Sequence, residues 1–264
     1  MSSIYFNEEH LMLQKMVREF AKNEIKPLAQ TIDDEEKFPE DSIKKMAELG
    51  LMGIPWEDKY GGNNMDTLSL VIAIEEIGKV CASTAATMMA HTSLGTAPIV
   101  LFGTEEQKEK YLPKLATGKI IGAFGLTEPT AGSDAGNTQT KAEVIGNHFI
   151  VNGQKAFCTN AGVAGIIIFT AKLIDEKGID HGIGAFIVEK NTPGLTLGKP
   201  EKKMGWRGSD TRSVFFENMK IPKENILGNP SKGFKQFLQT LVGGRITIGA
   251  LSLGIAQGAY QLAL

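Results

Sequence analysis

Cysteine is scarce. Cys81 and Cys158, the two in 264 residues, make neither a disulfide framework nor a CxxC spacing, so structural zinc, thioredoxin chemistry and a secreted scaffold lose support and a reducing compartment is expected. Charge of one sign is missing as well: 28 Lys plus Arg face 30 Asp plus Glu, for a net charge of −2. No overall positive field is offered to a phosphate polymer, and nucleic acid is not expected as a partner. Residues 1–10 carry acids and no apolar run, unlike a signal peptide or an Arg-rich transit sequence. The longest apolar stretches, around 166–171 and 70–77, fall short of the roughly 20 residues of a bilayer crossing, and no membrane is expected. With 42% hydrophobic and 22% charged residues, the chain is a globular protein large enough to bury a core without staples.

What is present changes period twice. From Asn7 to about Gly118 it is helical. Asn7 reads as an N-cap, and Leu13, Met16, Val17, Phe20, Ala21, Ile25 and Leu28 form one apolar stripe. A short helix follows from Pro39 to Leu49, stopped by Gly50, and a third spans about Asp66 to Lys79. Ser83 to Phe102 is apolar nearly all round and reads as a buried helix ended by Gly103. Thr104 to Gln107 makes a capping box with two acids at the positive helix end. From Lys119 to about Asn225 the pattern is β, clearest in the alternation of Lys141 to Val151 around the turn Gly146-Asn147. Without helix-length gaps between strands, a mainly antiparallel sheet is expected. After Pro230 the helical period returns to the last residue, a helix of roughly 50 Å. It is apolar on most sides, and Gly249, Ala250, Gly254 and Gly258 permit close backbone approach. Such a helix needs neighbours on several faces, which predicts a truncated polypeptide or a covering subunit. The fold class is therefore α+β: an N-terminal all-α bundle (1–118), a central antiparallel β-barrel or sandwich (119–228) and the first helix of a C-terminal bundle (229–264).

Motifs for metals and nucleophiles are absent: the four histidines (His10, His91, His148, His181) are scattered, and no HExxH, GxSxG, GxxxxGK[ST] or GxGxxG occurs. Each histidine reads as a solvated or core imidazole. Three segments carry more. Gly125 to Asp134 follows an apolar strand and is crowded with small and hydroxyl residues, which let backbone amides approach a diphosphate or a flat ring. A decorated turn between strands is the other reading. Within Asn152 to Gly162, Phe157 either stacks on an aromatic ligand with Thr159 bonding its edge, or is core. Arg245, beside Gly243-Gly244 in an apolar helix, reads as a buried guanidinium that needs a carboxylate or a ligand.

In order and spacing these segments resemble one family. A helical N-terminal region precedes LTEPxAGSDAG (126–136), NGxKxFxTNxG (152–162), MGWRGSDTRSVFFENMKIPKENILG (204–228) and GFKxxxxxLxxGR (233–245). Together they resemble the acyl-CoA dehydrogenases, most closely the short-chain, butyryl-CoA branch, over essentially all 264 residues. The resemblance implies FAD as cofactor and the α,β-dehydrogenation of an acyl-CoA to the trans-2-enoyl-CoA. Electrons then pass to electron-transferring flavoprotein, and the full-length form is expected to be a soluble homodimer or homotetramer of bacterial cytoplasm or an organelle matrix. It implies that Phe124, Leu126 and Thr127 line the flavin and thioester, that Ser133 lies near the FAD diphosphate and the CoA arm, and that Phe157 packs on the isoalloxazine. Cys158 and Thr159 present backbone and hydroxyl to the flavin, and Arg245 orders the site beside the acyl chain, so that Phe124, Ser133 and Arg245 also contact substrate. No metal is implied.

Departures from the family pattern are Asn137 in the glycine loop, Val242 where many relatives have an aspartate that contacts the pantetheine, and Gly244. That last position carries the catalytic glutamate in the isovaleryl and long-chain branches. In the other branches the base lies beyond the position of Leu264, so no catalytic residue is expected in this chain and the 264-residue piece is expected to be inactive. An acyl-CoA oxidase-like reaction and a non-catalytic binding or assembly module are the alternatives.

Overall fold

The computed structural model describes residues 5–264. Helix α1 (Glu8–Phe20) starts where Asn7 accepts from the amide of His10, 2.8 Å away. The Nε2 of His10 meets Asp66 at 3.0 Å, and Asp66 itself caps α4 (Thr67–Gly78) by accepting from the Ser69 amide. One buried imidazole thus joins the starts of two packed helices. Leu13, Val17 and Phe20 of α1 and Ile25 beyond it face Leu70, Ala73, Ile74 and Ile77 of α4 in the helical core, whereas Leu28 at the end of the expected stripe is exposed.

The two long helical readings each contain a widening. Ala21–Ile25 is π-helical and leads into α2 (Lys26–Asp34), which has Pro27 in its first turn. His91–Thr96 is π-helical between α5 (Ala82–Ala90) and α6 (Ala97–Phe102), with Pro98 placed the same way. A proline inside a helix has no N–H and its ring presses on the carbonyl four residues back; one extra residue per turn relieves both faults. Helix α3 (Glu40–Glu48) has Pro39 at its N-cap and is followed by left-handed Gly50, and α7 (Glu105–Ala116) opens with the reciprocal Thr104 and Gln107 capping box.

Seven strands follow: β1 (Ile121–Gly125), β2 (Lys141–Ile145), β3 (His148–Thr159), β4 (Ala164–Ile174), β5 (Asp180–Glu189), β6 (Leu195–Pro200) and β7 (Thr211–Pro222). The pairings β2–β3, β3–β7, β4–β5 and β6–β7 are antiparallel, but β1 and β2 both run parallel to β4, end to end along one of its edges. The mainly antiparallel expectation holds for four of the six pairings; β1 and β2 are the exceptions, and β3 itself serves as the crossover between β2 and β4, so that no helix is needed. Phe169 of β4 stacks on Phe216 of β7 at 4.4 Å although these strands are not neighbours in the sheet. The sheet therefore curls over its own core, which Phe149, Phe186 and Val214 complete.

Helix α8 (Gly233–Ala263) packs by a small-residue face. A Cβ on Gly254 would stand 2.5 Å from the Glu75 carbonyl and one on Gly258 2.2 Å from that of Lys79, so these glycines set the distance to α4. Gly249 faces open space. Leu238, Val242, Ile246, Leu253 and Tyr260 lie on the exposed side. The reading that no segment is long and apolar enough for a membrane is also corrected. Ala82–Phe102 and Gly233–Ala263 reach mean hydropathies of 1.2 and 1.3, because small residues interrupt the apolar runs without lowering the mean. Of the first run, 72% is buried inside the protein, which accounts for its apolarity as core.

Candidate cofactor-binding site

Strand β1 is pinned from both sides. On one side the π-helical turn at Gly95 touches Gly122 backbone to backbone; a Cβ on Gly95 would lie 2.4 Å from the Gly122 carbonyl carbon. Beside it His91 accepts from the Gly122 amide at 3.0 Å through Nδ1 and donates to the Leu115 carbonyl at 3.1 Å through Nε2. Burial lowers its pKa to about 4, so it is a neutral core imidazole.

On the other side β1 meets β3 at a bulge. Lys155 pairs with Val214 and Cys158 with Arg212, so Ala156 and Phe157 stand opposite the single residue Ser213. The freed Ala156 amide donates to the Thr127 carbonyl at 2.8 Å, which ties the turn after β1 directly to β3. Phe157 takes φ +56° and is 64% exposed. A left-handed backbone is ordinary for glycine at a bulge and costs a bulky aromatic about 1–3 kcal/mol. The reading of Phe157 as core is thereby overturned: the bulge turns its ring outward.

The ring faces a cleft of about 160 Å³ whose walls include Phe124, Leu126, Thr127, Phe157, Thr159 and Leu241. Five of the candidate residues are thus gathered in one place from two separate strands. Phe124 also stacks on Phe237 of α8 at 4.1 Å, which fixes the floor. Ala90 and Leu94, on the last turn of α5 and the π-helical turn, close the far side. Two larger clefts, about 720 Å³ beside Arg18 and Lys79 and about 770 Å³ beside Lys44 and Lys190, contain none of the candidate residues.

Three candidates fall elsewhere. Cys158 is fully buried with its thiol in the sheet core, burial pushes it up to about 12, and it does not line the cleft. Ser133 is exposed on the loop between β1 and β2 and does not line the cleft. Arg245 is exposed on α8 with no partner among the described residues, which corrects its reading as a buried guanidinium. The helix is apolar there on its outward side too, so composition did not distinguish the faces. Arg245 lies one turn beyond Leu241 and therefore on the same side of α8 as the cleft wall.

The sequence reading missed two residues inside its own motifs. Glu128 and Lys155, 3% and 0% exposed at their side chains, form a buried ion pair at 2.7 Å. Burial would raise the Glu128 carboxyl, but Lys155 and the donors of Gln139 and Thr140 outweigh it and hold the group below the usual carboxylate range. Both residues stand in the quoted motifs; the available signal was a single lysine inside a strand otherwise rich in buried apolar residues.

The donor set fits a flat, hydrogen-bonding aromatic. Phe157 offers an open ring face, and the Thr127 and Thr159 hydroxyls, both half-buried at the cleft, bond no described residue. No acid lines the cleft. A side chain at Gly244 would begin 3.2 Å from the end of the Leu94 side chain, which would have to give way by a few tenths of an ångström.

Fold and site together belong to one class of protein. Residues 7–119 match the family described as Acyl-CoA dehydrogenase, N-terminal domain, and residues 123–219 match Acyl-CoA dehydrogenase, middle domain. The chain belongs to the acyl-CoA dehydrogenase family. It is 50% identical over 253 residues to the short-chain specific acyl-CoA dehydrogenase of Clostridium acetobutylicum, covering 96% of this chain and 66% of that one. Butyryl-CoA dehydrogenase from Megasphaera elsdenii superposes with a TM-score of 0.92 at 42% identity, covering 97% and 68% of the two chains. An acyl-CoA dehydrogenase of Bacillus anthracis complexed with FAD gives 0.88 at 37% identity, covering 96% and 43%. The chain spans about two thirds of the length of the curated relative from Clostridium.

Proposed function

We propose that this chain carries the flavin and acyl-thioester half of a short-chain acyl-CoA dehydrogenase, which converts an acyl-CoA to its trans-2-enoyl-CoA and passes the electrons to electron-transferring flavoprotein. The observation that carries the reading is the junction of the two loops. Thr127 and Thr159 open on one cleft, tied by the Ala156 to Thr127 hydrogen bond, with the Phe157 ring held outward in a left-handed backbone.

FAD, when bound, supplies the hydride acceptor. The chain supplies the setting: Phe157 a stacking face, Thr127 and Thr159 donors to the ring edge, and Ser133 on its exposed loop a hydroxyl for the diphosphate or the CoA arm. Phe124, Leu126 and Leu241 wall the acyl group from water, which strengthens every polar contact made inside. Arg245, on the cleft side of α8, stands beside the acyl chain. An α proton next to a thioester leaves only when fixed donors stabilise the developing enolate and a base is at hand. With no acid on the cleft, the 264-residue polypeptide by itself has no base for that step. The exposed apolar face of α8, with Leu238, Val242 and Ile246, suits cover by a further segment of polypeptide or by a second subunit, and a homodimer or homotetramer belongs to the full-length form.

Two measurements test the reading. Titration of FAD into the purified chain is expected to quench flavin fluorescence, weakly but saturably, and less so for Phe157→Ala; a chain with no affinity for FAD overturns the flavin site. With butyryl-CoA and a dye acceptor, no turnover is expected from these 264 residues; turnover would show that a base has been overlooked, and peroxide formed under air would mark an oxidase.

A further inference from the structure

We infer that Lys155 is the positioning residue of this site: through its ion pair with Glu128 it clamps both ends of the loop between β1 and β2 onto the bulge of β3, and so sets where Thr127 and Phe157 stand. The inference rests on the flavin reading above and adds to it a residue that touches neither cofactor nor substrate.

An ammonium has three protons, and three acceptors converge on this one. Glu128 Oε1 lies at 2.7 Å, Thr170 Oγ1 at 3.0 Å and the Leu126 carbonyl at 3.3 Å. The other oxygen of Glu128 accepts the Gln139 amide at 2.6 Å, and the Thr140 amide reaches the carboxylate at 3.2 Å. One ion pair therefore holds the outgoing end of the loop at Leu126 and Glu128 and the returning end at Gln139 and Thr140. It anchors both to β3 through Lys155 and to β4 through Thr170. The cleft side of the same strand starts one residue on: Ala156 bonds Thr127, and Phe157 turns outward.

Stability alone does not call for charges here. A buried ion pair replaced by apolar side chains of similar volume is often as stable or more so. What an apolar pair cannot do is orient one carbonyl and two amides of the loop. The pair specifies the direction of the loop, not merely its burial.

The test compares Glu128→Met/Lys155→Met with the wild-type chain. The double variant is expected to melt with the wild type. Amide exchange at Gln139, Thr140 and Ala156, measured without FAD, is expected to accelerate at least about tenfold, the scale of one lost charge-assisted hydrogen bond. Exchange in α4 should be unchanged and the Kd for FAD should rise. Unchanged exchange at those three amides overturns the clamp, as does an acceleration spread evenly over the molecule, which would make the pair merely structural. If the double variant does not fold, Thr170→Val, which keeps both charges and the side-chain shape, is expected to accelerate the same amides by about threefold; no acceleration there overturns the clamp too. FAD titration of the wild type judges the flavin reading and exchange in its absence judges the clamp, so either can fail separately.

Discussion

Two junctions hold this molecule together, and they are built on opposite plans. Where α4 meets α8, Gly78, Gly254 and Gly258 let two backbones touch and Leu251 fills the core, with no ion pair between the two helices among the described residues. Where β1 meets β3, a buried ammonium and carboxylate, a bulge and an aromatic in a left-handed backbone occupy a few residues. Apolar contact is tolerant of direction and suits a joint that must only stay closed. Charge-assisted hydrogen bonds are directional and suit a joint whose loops must face a ligand. Strain gathers at the second junction and not at the first, which is where a binding site is expected to store it.

The comparison can be broken at several points. Glu128→Ala leaves the buried Lys155 with no countercharge, only the neutral acceptors Thr170 and the Leu126 carbonyl, and is expected to be the most damaging, at about 4 kcal/mol by denaturant unfolding; a loss below 1 kcal/mol would show the pair to be solvated. His91 comes next. Its imidazole titrates near 4 in the fold against 6.5 ordinarily, so the unfolded chain binds more protons between those values. Stability should therefore fall as pH drops from 6.5, reaching about 3 kcal/mol lost by pH 4, and His91→Gln should flatten that part of the profile. At the apolar junction Gly254→Leu drives a side chain into the Glu75 carbonyl and is expected to lose about 2 kcal/mol without altering FAD affinity. Phe157→Gly sharpens the contrast in the other direction. Relief of the left-handed backbone is expected to raise stability by about 1 kcal/mol while FAD binding weakens; a destabilised variant would show that the ring packs rather than waits for a ligand.

Much of this was legible in the residues. Asn7 and the Thr104 and Gln107 box announced helix starts because capping is a local event, and Gly146-Asn147 announced its hairpin for the same reason. The crowded hydroxyls of Gly125 to Asp134 and the NGxKxFxTN stretch marked the two sides of the cleft. The π-helical turns were missed although Pro27 and Pro98 signalled them, because periodicity alone runs on through a single added residue. The two parallel exceptions in a mainly antiparallel sheet were not legible, because whether β1 lies along or against β4 depends on a crossover that no local pattern encodes. Arg245 was misjudged because an apolar composition does not say which face is covered.

The sequence by itself determined the elements and the chemistry available to them: caps, turns, apolar stripes and the hydroxyls and aromatic that a flat ligand needs. Only the tertiary structure decided that Thr127 and Thr159, 32 positions apart in the chain, share one cleft, that Phe157 points out rather than in, and that Lys155 finds Glu128. Local structure follows from short-range sterics and hydrogen bonds that each segment carries with it. The meeting of distant segments follows from burying a whole core at once, and that is a property of no single segment.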